Sequence, residues 1–191
     1  MKKYLIIGFA AMALIQWMVP GKMILDREII LNKGTAYKFR TQPVDPYHPF
    51  QGRYVALSFS ENQFDAYNKN YRAGQDIFIG LRTDDSGYAK IYTSSLKAPE
   101  GTNDYIKVNI SYAVPYSGGS AANDSLFTVY IRYPFDEYYM EEFKAPKAEQ
   151  VYREKAPDSA HNTYALVKVY KGGGVIQDLF VNDKPIREWI P

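Results

Sequence analysis

Hydrophobic positions follow two different patterns along the chain. Residues 4–20 form a continuous apolar run in which Gln16 is the only strongly polar residue, and the next charge after it is Lys22. Beyond residue 34, apolar and polar residues alternate in short stretches separated by turn-forming residues. The first pattern predicts an apolar helix, and the second predicts strands that are buried on one face.

The alternating stretches predict about eight strands. Each stretch has apolar residues at every second position, as expected where one face of a strand is buried and the other meets solvent. Residues 88–93 and 175–181 belong to this set, and the glycines at 172–174 predict the turn of a C-terminal hairpin. The other stripes are Tyr37, Phe39 and Thr41; Val55, Leu57 and Phe59; Ile77, Ile79 and Leu81; Ile106, Val108, Ile110 and Tyr112; Phe127, Val129, Ile131 and Tyr133; and Ala165, Val167 and Val169.

Two short helices are predicted among the strands. Asp136 can cap a helix over residues 136–143, and Pro146 suits the first turn of a helix over residues 146–155. Residues 28–31 fit either a short strand or the end of a helical stalk. The predicted fold is therefore mainly β, either all-β or α+β, with antiparallel sheets, two short helices and a preceding transmembrane helix. We expect an anchor over residues 1–22 and one β-rich domain over residues 23–191.

The N-terminal run has the length and flanks of an uncleaved signal-anchor. As a helix it would span roughly 25 Å, against about 30 Å of bilayer hydrocarbon, and snorkelling by Lys3 and Lys22 can make up the difference. A cleaved signal peptide is the main alternative, since Ala11-Met12-Ala13 has the small-x-small form, and a buried core helix is a third. Cleavage there would leave half of the apolar run exposed on the mature protein.

The orientation of the anchor follows from its charged flank. Positive residues remain cytoplasmic, so Lys2 and Lys3 predict that the chain from about Gly21 onward lies outside the cytoplasm. Attachment depends on this helix, because a chain without cysteine cannot carry a lipidated N-terminal cysteine.

Composition excludes several kinds of chemistry. The chain has no cysteine, which removes disulfides, thiolate nucleophiles, cysteine-ligated zinc and iron–sulfur clusters. His48 and His161 are the only histidines, which argues against a multi-histidine metal site. A net charge of +2 without a basic run argues against a nucleic-acid partner. We expect no cofactor and no metal. The 18 tyrosines are typical of strands and binding surfaces.

A short motif follows the proline-rich residues 43–50. The motif is Gly52-Arg53-Tyr54-Val55-Ala56-Leu57-Ser58-Phe59, and it resembles the signature of the GDYXXLXY family. Glycine, the first tyrosine and leucine match, whereas arginine replaces the aspartate and phenylalanine replaces the last tyrosine. Residues 43–46, 135–139 and 179–185 also look like family segments, so the resemblance spans the whole region after the anchor.

The resemblance implies a bacterial, membrane-anchored protein without an established activity, encoded beside multi-pass membrane proteins. Together with the anchor it implies a single-pass protein of the inner (cytoplasmic) membrane with an extracytoplasmic C-terminal domain. It carries no catalytic residues over to this chain. An acidic role at the second motif position could not operate here, because that position is Arg53.

The motif region has a structural and a functional interpretation. Turn chemistry alone explains glycine and proline at the entrance to a strand. The functional interpretation is a recognition surface, because loops held by a rigid sheet commonly carry binding residues and because tyrosine and arginine often anchor interfaces. Its candidate residues are Asp45, Tyr47, His48, Arg53 and Tyr54.

The strongest acidic cluster lies within the predicted helix at residues 136–143. On that helix Glu137 and Glu141 would share a face one turn apart, which could hold calcium or pair two carboxylates as glycosidases do. A solvated face with acids near the helix N-terminus explains the same residues.

Three hypotheses follow, in decreasing order of support. The first is a non-catalytic accessory domain that binds a multi-pass integral membrane protein in the same membrane. The second is a cell-envelope module that binds glycans or peptides through exposed tyrosine rings. The third is a carboxylate-dependent hydrolase centred on Glu137 or Glu141.

Overall fold

The computed structural model describes residues 2–42, 54–67, 71–115, 126–141, 143–155 and 163–190. Helix α1 is Lys2–Lys33, helix α2 is Ala145–Lys155, and a turn of 3-10 helix, Ile186–Trp189, follows the last described strand. The strands within these ranges are β1 (Thr35–Gln42), β2 (Tyr54–Ala56), β3 (Ser58–Phe59), β4 (Gln63–Ala66), β5 (Asp76–Thr83), β6 (Ala89–Ser95), β7 (Tyr105–Pro115), β8 (Phe127–Arg132), β9 (Glu137–Tyr139), β10 (Tyr164–Tyr170), β11 (Gly173–Val181) and β12 (Lys184–Pro185).

Two five-stranded antiparallel sheets form most of the described domain. The first has the strand order β12-β11-β10-β1-β3, and the second has the order β4-β8-β7-β5-β6. The sheets are joined where the β10–β11 turn meets β7, because Gly172 donates to the Tyr105 carbonyl at 2.9 Å and accepts from the Lys107 N–H at 2.9 Å. The predicted fold class is confirmed: antiparallel sheets follow an apolar helix, and α2 and the 3-10 turn are the short helices of the described domain.

The apolar stripes form most of the core, and Tyr112 departs most from its predicted burial. Phe39, Val55, Ile77 and most other predicted positions are buried. Tyr112 was expected to continue the stripe of β7, but half of it is exposed. The register of β7 against β8 shifts between Ile110 and Tyr112, so a bulge reverses the alternation and turns the tyrosine ring outward.

Four aromatic rings occupy the centre of the core: Phe39, Phe59, Tyr133 and Phe135. Their centroids lie 5.2 to 5.7 Å apart, mostly edge to face. Such pairs contribute about 0.5–1.5 kcal/mol each beyond their buried area. Phe39 comes from β1, which follows α1 after Gly34, so the core begins in the first strand after the apolar helix.

Helix α1 continues into the domain and packs on its first sheet. Gly34 alone separates it from β1, and the Gly34 N–H donates to the Ile30 carbonyl at 2.8 Å. Ile30 lies against the β10–β11 hairpin so closely that a Cβ at Gly173 would be 2.5 Å from its Cδ1. Residues 28–31 are therefore the end of a helical stalk, and the expected boundary after residue 22 falls inside a continuous helix.

The sequence predicts that the glycines at 172–174 form the hairpin turn together, but the structure does not show this. The hairpin turn is Lys171 and Gly172, both at positive φ (45° and 88°), while the next two glycines belong to β11. Glycine is needed at these two positions because side chains pack directly against the backbone. A Cβ at Gly174 would be 2.2 Å from the Phe135 ring. Gly173 faces Ile30 of α1 in the same way.

The prediction of a helix over residues 136–143 is wrong. Residues 137–139 form β9, which pairs with β2 in the register Tyr54 to Tyr139 and Ala56 to Glu137. Long-range pairing outweighed the local capping and acidic pattern, as tertiary context often does. The other predicted helix, over residues 146–155, is confirmed as α2.

Gly34→Ala tests the junction between α1 and the sheet. A Cβ there would lie 2.4 Å from the Ile30 carbonyl oxygen and 3.0 Å from that of Val169, and backbone atoms cannot yield as a flexible side chain can. We expect a loss of about 1–3 kcal/mol in unfolding free energy and faster proteolysis at the junction, measured on the detergent-solubilised chain. Gly21→Ala is the matched control, since nothing lies within 4 Å of its added Cβ. Equal stability of the two variants would contradict the close packing.

Candidate functional site

The motif residues divide between core and surface. Leu57 and Phe59 are buried, and the Leu57 N–H donates to the Asp136 carbonyl at 2.8 Å. Tyr54 is half-buried on the surface, with its ring centroid 5.5 Å from that of Tyr139. The later motif positions therefore have a structural role, whereas Tyr54 is available for contact.

The structure describes one of the five predicted site residues. Tyr54 stands at the start of β2, next to β9. Asp45, Tyr47, His48 and Arg53 lie outside the described residues, so their part in a recognition surface stays a prediction.

A cleft of about 340 Å³ lies between α1 and the first sheet. We call it the helix-proximal cleft, and it is lined by Arg27 of α1, residues 134–139 leading through β9, and residues 174–177 of β11. Its three walls are far apart in sequence. They meet because α1 is packed on the β10–β11 hairpin, and because the Phe135 ring lies on Gly174 of the same hairpin.

The cleft combines tyrosine phenols with two carboxylates, Asp136 and Glu137, and the guanidinium of Arg27. The Tyr139 hydroxyl donates to the Glu137 carboxylate. This hydrogen bond, with some burial, raises the pKa of Tyr139 above its usual value, and nearby Arg27 opposes the shift. Burial and then Glu137 raise the pKa of Tyr54. Both tyrosines therefore stay protonated at neutral pH. Tyr139 gives its hydroxyl proton to Glu137, so its oxygen and its exposed ring are what remain for a partner.

A buried carboxylate supports the wall behind the rim. Asp178 is 7% exposed and accepts hydrogen bonds from the Tyr138 hydroxyl at 3.1 Å and from the Leu179 N–H at 2.9 Å. Arg187 pairs with its other oxygen at 2.5 Å. Burial, and then Asp178, raise the pKa of Tyr138 to about 12. The carboxylate is fully partnered, which fits a structural role in fixing β9 and the 3-10 turn to β11.

The carboxylate pair proposed for hydrolysis lacks its expected geometry. Glu137 is in β9 and lines the cleft, whereas Glu141 lies beyond the strand and pairs with Lys144 at 3.1 Å. The two do not share a helical face. Among the described residues, no group of three or more histidine, aspartate and glutamate side chains could hold a metal ion.

Sequence reasoning missed Arg27 and Tyr139 as site residues. Arg27 reaches the cleft because α1 stays helical as far as Lys33. The sequence alone fits either a helix or a strand at residues 28–31. Tyr139 lies on the same face of β9 as Glu137, two residues away. Alternation with a period of two places Glu137 and Tyr139 on one face of a strand, but the sequence analysis predicts a helix for this segment.

A family model described as GDYXXLXY protein matches residues 16–179. The matched range begins within α1 and includes the motif, β9 and most of β11. No curated protein matches the chain, and no solved structure matches it.

Glu137→Gln tests the electrostatics of the rim. The variant removes the carboxylate that is the main cause of the shift at Tyr139, so we expect the pKa of Tyr139 to fall towards its usual value. Site-resolved NMR titration of the tyrosine ring carbons measures it. Glu141→Gln, which removes the carboxylate next to Lys144, should leave the Tyr139 titration unchanged. An unaltered Tyr139 pKa in Glu137→Gln would contradict the contact.

Proposed function

The chain belongs to the GDYXXLXY protein family, and on that premise we propose that it is a non-catalytic, membrane-anchored accessory domain that binds a multi-pass membrane protein in the same membrane. Helix α1 is long and apolar enough to cross a membrane. The flanking Lys2 and Lys3 support an orientation with the domain outside the cytoplasm. The observation that carries the proposal is the direct, linker-free attachment of α1 to the sheet beside the helix-proximal cleft.

This attachment holds the cleft near the bilayer surface. Arg27 lies roughly 10 Å along the helix from Pro20, where the apolar run ends, at about 1.5 Å per residue. The headgroup layer extends about 5–7 Å beyond the hydrocarbon on each side. The cleft would therefore open just outside the headgroups, at the height of the short loops of a multi-pass protein.

The chemistry of the cleft suits a protein interface. Tyrosine and arginine are enriched at interface centres, and Tyr54, Tyr139 and Arg27 occur together here. Tyr139 is 62% exposed in the isolated chain, which leaves its ring free to be covered. Anchoring both proteins in one membrane raises their effective concentration, so a surface of modest size can give a stable complex.

The hydrolase hypothesis is less well supported by the geometry. Glu137 hydrogen-bonds Tyr139, and Glu141 forms a separate ion pair with Lys144. A carboxylate-dependent hydrolase needs a second carboxylate facing the first across a substrate. The binding proposal needs no such pair.

Co-purification from native membranes in mild detergent tests the proposal. We expect a polytopic protein to be recovered with the unmodified chain, and at least tenfold less of it with Tyr54→Ala combined with Tyr139→Ala. Arg53→Ala tests the neighbouring predicted residue in the same assay. Tyr112→Ala is the matched control, because this tyrosine is also exposed but lies on the second sheet.

Two results would contradict the proposal. One is recovery of the unmodified chain alone, without a polytopic protein. The other is full recovery of the partner by the double variant at normal expression and folding, which would place the interface elsewhere.

A further inference from the structure

A pocket of about 310 Å³ lies on the second sheet, beside its junction with the first. It is lined by Asp76 of β5, residues 107–109 of β7 and residues 132–134 at the end of β8. We call it the sheet-junction pocket. Strand β8 ends at Arg132, which is paired with Asn109 of β7, and the chain then leaves the sheet. The pocket therefore forms where β8 leaves the side of β7.

The floor of the sheet-junction pocket is apolar. Val108 and Tyr133 are 1% and 4% exposed, and Pro134 completes this part of the lining. The Tyr133 hydroxyl donates to the Glu61 carbonyl at 2.5 Å, so it is not available to a ligand. The floor therefore suits an apolar group. The pocket lies at the lower end of the range of about 300–1,000 Å³ for ligand sites, so it suits a small ligand.

Two cations and one carboxylate surround the floor and give the pocket a net charge of +1. The Lys107 ammonium pairs with the Asp76 carboxylate at 2.8 Å. The hydrogen bond from Lys107, and then that from Asn109, hold the pKa of Asp76 below its usual value, so this carboxylate stays ionised. Within the part of the chain that the structure describes, Arg132 makes no ion pair. An unpaired guanidinium beside a neutralised pair favours an anionic ligand.

Asn109 offers a hydrogen-bond acceptor beside that guanidinium. Its amide nitrogen donates to the Gly74 carbonyl at 2.9 Å and to the Asp76 carboxylate at 3.1 Å. Both partners only accept and lie on the β5 side of β7, so the amide oxygen faces the other way, towards β8. No described residue donates to this oxygen. Asn109 and Arg132 are directly opposite each other, with Cα atoms about 5 Å apart, so one small ligand reaches both side chains.

We propose that the sheet-junction pocket binds the C-terminal residue of a peptide whose last side chain is apolar. The Arg132 guanidinium pairs with the terminal carboxylate through two parallel hydrogen bonds, and the Asn109 amide oxygen accepts from the N–H of the same ligand residue. The apolar floor receives the side chain. In the ligand, that nitrogen and the carboxylate carbon are about 2.5 Å apart because they share one Cα, so both fit between the two opposed side chains.

The charge of the pocket separates this ligand from its relatives. A peptide's last residue brings a carboxylate and a neutral N–H. A free amino acid brings an ammonium in place of that N–H, and the ammonium would enter a pocket of positive net charge, which disfavours it. A C-terminal amide keeps the shape but loses the charge that pairs with Arg132.

Calorimetric titration of the full chain in lipid nanodiscs with acetyl-Ala-Leu tests the proposal. This probe has one carboxylate, an N–H and an apolar last residue. We expect it to bind about tenfold or more tightly than its C-terminal amide, because the charged pair is lost. Free leucine should also bind more weakly than the probe. Methylation of the last N–H should weaken binding about threefold or more, because it removes the donor to Asn109.

Variants locate the binding site. Arg132→Gln should weaken binding of the probe about tenfold or more, and Arg132→Lys, which keeps the charge without the planar fork, should also bind less tightly than the unmodified chain. Arg82→Gln is the matched control, because this exposed arginine lies on β5 of the same sheet but does not line the pocket. Tyr139→Ala, at the helix-proximal cleft, should leave binding of the probe unchanged, which separates this site from the proposed partner surface.

Three results would overturn the proposal. The first is the absence of binding by acetyl-Ala-Leu at millimolar concentration, and the second is equal binding of the acid and its amide. The third is undiminished binding to Arg132→Gln, with its folding checked by thermal unfolding. Amide NMR shifts caused by the probe are expected at residues 107–109 and 132–133, and shifts confined to other residues would likewise exclude the site.

Discussion

Close packing between α1 and the β10–β11 hairpin is the contact on which the rest of the structure depends. The hairpin presents backbone without side chains at Gly173, and Ile30 fills that space. Gly34 lets the chain pass from helix to strand in a single residue, and the Lys168 ammonium donates to the Gly34 carbonyl at 3.3 Å. Apolar helix and sheet are therefore joined by packing and hydrogen bonds rather than by a flexible linker.

The same hairpin also connects the core to the candidate site. Gly174 receives the ring of Phe135, and Phe135 belongs to the aromatic cluster of the core. The chain continues from this ring into β9, whose Glu137 and Tyr139 form the rim of the helix-proximal cleft. A shift of the hairpin would thus move the helix, the aromatic cluster and the cleft together.

Much of the fold follows from local pattern, because burying one face of a strand imposes a period of two. That rule predicted the positions of Val55, Ile77 and Val167 correctly. It failed at Tyr112, where a bulge against β8 reverses the alternation, and no local signal marks that bulge. The sequence predicts a helix around Glu137 because the capping and acidic residues that favour one are local. The pairing of this segment with β2 is long-range, so no local pattern shows it.

The candidate site was less predictable than the fold. The motif drew attention to Tyr54, which lies beside Tyr139. Arg27 enters the cleft only because α1 remains helical as far as Lys33. The sequence also could not supply the space at Gly173 that Ile30 fills. That space is a property of the packed backbone, which residue types along the chain do not encode locally.

The central claim is that α1 holds the domain, and with it the helix-proximal cleft, in one fixed orientation relative to the helix. Because the chain has no cysteine, paired spin labels can be placed at Leu25→Cys on α1 and Lys184→Cys on the first sheet without further changes. Electron–electron double resonance in nanodiscs should give one narrow distance distribution, and a flexible Gly-Ser insertion after Lys33 should broaden it. A broad distribution in the chain without the insertion would contradict the claim.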